Sequence, residues 1–143
     1  YNCYFSADDV VRLRTSNAIK RISRAKPEWL IPYIDKFISE ISTINQASTQ
    51  WTLAELFLTL ADDMSASQRN RAKGILKQNL QTATDWIVLN NTMETLSEWA
   101  TDDPVLKDWL LPYLDKLSQD KRKSVSGRAK KISAKLLNNP HPR

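Results

Sequence analysis

The chain has 143 residues, 41% hydrophobic and 26% charged, which suits one ordinary globular domain and excludes wholesale disorder. Its 21 Lys and Arg against 16 Asp and Glu leave a net charge of +5 and a pI near 9.4, a balance that favours an anionic partner unless the charges are segregated. A single Cys (Cys3), a single His (His141) and only two Gly (Gly74, Gly127) argue against disulfide frameworks, zinc sites, nucleophile–histidine catalysis and phosphate-cradling loops.

No catalytic residue, cofactor or metal is therefore expected, and the lone Cys3 suggests a reducing, cytoplasmic setting. "YNCYFSADD" has no basic region followed by an apolar stretch, so it does not read as a signal peptide. No apolar run reaches 18 residues, so no membrane partner is expected either.

In chain order, apolar spacings of three and four predict helices throughout, and no strand pattern occurs. Ser6-Ala-Asp-Asp9 reads as a capping box opening a first helix with Val10, Val11, Leu13, Ala18, Ile19 and Ile22. Pro27 suits the first turn of a second, with Trp29, Leu30, Ile34, Phe37, Ile38 and Ile41 on its buried side. A third helix is expected from about Ser48 to Ala61. Ser65 to Gln68 forms another capping box, opening a fourth with Ala72, Ile75, Leu76 and Leu80. Thr84 is placed as the cap of a fifth, carrying Trp86, Leu89, Met93, Leu96 and Trp99. Asp103-Pro104 opens a sixth. A seventh is expected from about Lys121, ending before Pro140.

One sentence of the chain is said twice. "EWLIPYIDKFISE" (28–40) returns as "DWLLPYLDKLSQD" (108–120), so Trp29, Pro32, Tyr33, Asp35 and Lys36 match Trp109, Pro112, Tyr113, Asp115 and Lys116. Two helix pairs separate the copies, which implies two-helix units of about 40 residues, the spacing of helical solenoids. "DDVVRLRTSNAIKRIS" (8–23) resembles the second helix of a HEAT repeat, and "DPVLKDWLLPYLDKL" (103–117) resembles the first, with its Leu-x-Pro-Tyr-Leu run. Leu53 and Leu89 stand where that family has an arginine. The resemblance implies an all-α superhelix of about three and a half helix pairs in one domain. Its units would be 8–25 (second helix only), 27–62, 65–100 and 103–138. It also implies that the second helices line a concave face.

Several residues invite a functional reading. Trp29, Trp109 and Trp99 are expected in the core. Trp51 and Trp86, at the starts of successive second helices, are either partner anchors or staples of their own helices. The pairs Asp8-Asp9, Asp62-Asp63 and Asp102-Asp103 fall at helix boundaries, where acids cap free amides. Charge is segregated. Arg12, Arg14, Lys20, Arg21, Arg24 and Lys26 make the first helix basic. Lys121, Arg122, Lys123, Arg128, Lys130, Lys131 and Lys135 make a basic patch on the last. The segments between carry acids, so a continuous basic track for nucleic acid is interrupted.

The resulting expectation is a non-catalytic protein-binding scaffold. Its partner patch would be Trp51, Glu55, Thr59, Trp86, Asn90, Glu94 and Glu98, facing a protein or peptide with basic segments. Nucleic-acid binding, as in HEAT-like DNA alkylation-repair proteins, is the alternative. A repeat-type lyase or its accessory subunit comes third.

Overall fold

The computed structural model describes residues 1–138; Pro140 and His141 lie outside them. Among the described residues there are seven α-helices and no strand. They are α1 (Asp9–Ala25), α2 (Ile34–Ser39), α3 (Ala47–Thr59), α4 (Ala66–Thr82), α5 (Trp86–Ala100), α6 (Pro104–Leu117) and α7 (Lys123–Asn138). No helix among these residues is long and apolar enough to cross a membrane.

The helices form two layers. In one, α3 packs on both α1 and α5, and α5 packs on both α3 and α7. In the other, α4 touches α2, and it reaches α6 through Lys73–Asp103 and Gln81–Tyr113 contacts. The chain is thus an α–α superhelix of stacked helix pairs. Each helix is amphipathic and can bury its apolar stripe only on its neighbours, so one continuous core runs from Ile19 of α1 to Leu136 of α7. Leu53 and Leu89 belong to that core.

Helix starts follow the free amides. Ser65 and Gln68 form the expected reciprocal capping box, and the Asp103 carboxylate accepts from the Leu106 amide at 3.1 Å. Three starts depart from expectation. Asp8, not Ser6, caps α1, accepting from the Val10 amide, while Ser6 Oγ accepts from Asp8. Asp85, not Thr84, caps α5, because its carboxylate reaches the Ile87 and Val88 amides at 2.9 and 3.1 Å. The last helix begins at Lys123, since Arg122 turns back onto Asp120. At the other end of α3, the helix stops at Thr59 and a 3-10 turn covers Ala61–Asp63.

The largest departure is the second helix. Residues Pro27–Trp29 and Ile31–Tyr33 are 3-10 turns, and only Ile34–Ser39 is α-helical. With Pro27 and Pro32 five positions apart, there is no room to nucleate an α-turn ahead of the second proline. Trp29 leaves the core as a result and is 61% exposed. Trp99 is buried as expected, and Trp109 is half-buried against the core.

Candidate functional site: the face of alternate helices

The α1–α3–α5–α7 layer presents one stripe from each helix. On α3 this stripe holds Trp51, Glu55, Leu58 and Thr59; on α5 it holds Ile87, Asn91, Glu94 and Glu98. A groove of about 380 Å³ runs between α1, α3 and α5, with Leu58 and Ile87 as its aliphatic part and Lys20, Arg24, Glu55 and Glu94 around them. Asn91 and Thr95 complete its polar wall.

The structure brings together most of the expected patch but not Asn90, which is only 5% exposed. The reason is helical drift. Steps of four residues advance about 40° beyond a full turn, so in the series 86, 90, 94, 98 only Glu94 and Glu98 lie on the exposed stripe and Asn90 falls toward the buried side. The mixed steps 87, 91, 94, 98 stay on it. Trp86 lies half-exposed at the rim, at 49%. Trp51 is half-buried, with Lys20 Nζ 5.5 Å from its ring centroid, and its indole N–H meets no acceptor among the described residues.

The acids are not uncompensated, as the expectation of a basic partner required. Arg24 Nε donates to Glu55 Oε1 at 2.8 Å, Arg128 donates to Glu94, and Lys135 Nζ lies 3.3 Å from Glu98. The basic end helices therefore reach inward across the layer and neutralise the acidic middle. Such exposed pairs contribute about 0.2–1 kcal/mol each, so a partner bearing either charge can replace one member at small cost. Sequence reading missed Lys20, Arg24, Leu58 and Ile87 as groove residues. The available signal was the four-residue spacing of Lys20 and Arg24, which puts both on one side of α1.

The basic patch of α7 is thinner than its sequence suggests. Arg128 and Lys135 are engaged as described. Arg122 pairs with Asp120 at 3.0 Å and donates to the Thr84 carbonyl. Lys121, Lys123, Lys130 and Lys131 are exposed and form no ion pair among the described residues.

Lys73 hydrogen-bonds Asp103 and holds its carboxyl below the ordinary 3.8, and burial pushes the Tyr4 phenol up to about 12 despite its 2.8 Å bond to Ser16. Of the three acid pairs, Asp8 and Asp103 act as caps and Asp62-Asp63 sits in a 3-10 turn. Comparison with protein-family models, curated proteins and solved structures finds no match for this chain.

Proposed function

We propose that the chain is a non-catalytic protein-binding module of the HEAT-repeat type, in which the α1–α3–α5–α7 layer is the concave, partner-facing surface. The observation that carries this reading is the groove in which exposed Leu58 and half-buried Ile87 lie between Lys20, Arg24, Glu55 and Glu94. An aliphatic floor with a charged rim suits a protein segment that seats one apolar side chain and exchanges ion pairs around it. Because each acid already faces a cation, the fitting partner is an amphipathic segment carrying charges of both signs, rather than a uniformly basic one. A nucleic-acid backbone fits less well, since Glu55, Glu94 and Glu98 occupy the middle of the face. The single, exposed Cys3 is in keeping with a cytoplasmic setting.

The test is affinity capture with the wild-type chain against Leu58→Asp and Ile87→Asp, alongside melting curves. Both side chains are partly exposed, so the variants should fold and lose the captured partner. Capture unchanged by both substitutions would remove the groove from consideration. Mobility shifts with DNA and RNA should show at most weak binding that salt erases. Submicromolar affinity at about 0.15 M salt would favour the free lysines of α7 as a polyanion site instead.

A further inference from the structure

A second cleft, of about 760 Å³, shares no lining residue with the groove described above. One wall is the α2–α3 connection with the first turn of α3; the other is the C-terminal half of α4 with its link to α5. In a chain that is 26% charged, Asp85 is the one charged residue lining this cleft, and its Oδ1 already accepts from the Ile87 and Val88 amides. What faces the space instead is carboxamide: Asn45, Gln50, Gln78 and Asn79. None of the four side chains hydrogen-bonds another described residue.

Asn79 is the informative one. It is 8% exposed, its backbone carbonyl is taken by the Ala83 amide, and its side chain borders the cleft without a partner. Its amide therefore offers its donors and acceptor to the cleft rather than to the fold. The α3 wall adds free donors, because the N-cap Gln46 does not cap its helix. Its side chain is committed elsewhere, accepting from Arg12 Nε at 2.6 Å and donating to the Asp9 carbonyl and Ser48 Oγ.

We infer that this cleft binds an uncharged, extended polypeptide segment, read through its peptide groups by Asn45, Gln50, Gln78 and Asn79. A carboxamide presents one acceptor and two donors on a planar group, the same chemistry as the peptide unit, so it pairs with backbone N–H and C=O at once. The one charge on the lining is the Asp85 carboxylate, already held by the Ile87 and Val88 amides, and it repels phosphate or carboxylate. The volume lies within the range of clefts that enclose a ligand. This site is independent of the proposed function of the α1–α3–α5–α7 face.

The experiment is selection of a random peptide display library on the full chain, followed by calorimetric titration of enriched peptides. Enriched peptides should lack a charged consensus and bind within about twofold between 0.15 and 1 M salt, unlike a screened ionic contact. Asn79→Leu should weaken them at least about tenfold without lowering the melting temperature, because its amide bonds nothing in the fold. Gln50→Ala, at a half-exposed position, should weaken them without a change in melting. N-methylation of the peptide backbone should abolish binding. No enrichment, binding that survives both variants, or loss in Glu94→Lys instead would overturn the inference. So would a cleft that takes oligo(dT) or a maltooligosaccharide in an Asn79-dependent way and retains no peptide.

Discussion

The two copies of the repeated sentence fold differently, although six of their 13 positions are identical and most of the others are conservative replacements. Residues 108–120 lie mainly in α6, which runs unbroken through Pro112; residues 28–40 split into two 3-10 turns and the short helix α2. The cause lies upstream of the repeat. Before Trp109 comes a complete first turn, opened by Pro104 and capped by Asp103, so a helix already exists when the chain meets Pro112. Before Trp29 the chain is still ending α1, Lys26 offers no side-chain cap, and Pro27 stands where the other copy has Lys107. The neighbours differ too. Trp109 stacks on Tyr113 at 4.4 Å beneath Lys77 of α4, whereas Tyr33 meets Tyr1 of the N-terminal turn and Trp29 projects outward. A repeated sequence thus specifies burial register more firmly than helical conformation: Leu30 and Leu110 match, and so do Ile34 and Leu114, all at most 4% exposed.

The sharpest probe of that shared register is a matched pair of cavities. Leu110→Ala and Leu30→Ala should each cost about 2–5 kcal/mol, with Leu30 toward the lower end because short turns collapse more readily around a void. Urea melts would measure this, and a Leu30 cost near zero would break the equivalence of the two copies. Next comes the tryptophan pair. Trp109→Ala should lose about 2 kcal/mol through its ring stacking and core contacts. Trp29→Ala should stay within about 0.5 kcal/mol, as exposed substitutions do.

The cap that separates the copies is worth less, about 1 kcal/mol for Asp103→Ala. Its pH dependence has a defined sign. Lys73 lowers the carboxyl pKa in the fold, so the stabilisation is complete above the unfolded value near 3.9 and is lost as pH falls through the folded value. The melting difference between wild type and Asp103→Ala should therefore be constant from about pH 5 to 8 and shrink below about pH 4. A difference that grew on acidification would contradict the Lys73 contact. The smallest effect belongs to Pro32→Ala, which frees the chain after Pro27 to form one helix. Circular dichroism should gain about seven helical residues with a stability change of only a few tenths of a kcal/mol. An unchanged spectrum would place the cause in the missing first turn alone.

Much of this fold is legible in the sequence. Apolar spacings of three and four, with two glycines and no turn–strand pattern, specified an all-α chain and the approximate positions of every helix but the second, because an amphipathic helix must turn its stripe inward wherever it sits. Asp103-Pro104 and Ser65 with Gln68 marked their helix starts, since a cap acts within three residues of itself. Tertiary structure decided what depends on distant neighbours. Whether Trp29 is covered depends on which surface reaches it, and whether Glu94 is free depends on Arg128, 34 residues away. Asn90 is buried because α5 is enclosed by α3, α4, α6 and α7, which narrows its open stripe to one line of residues. Local sequence determines which side of a helix is apolar; only packing determines how many sides are closed.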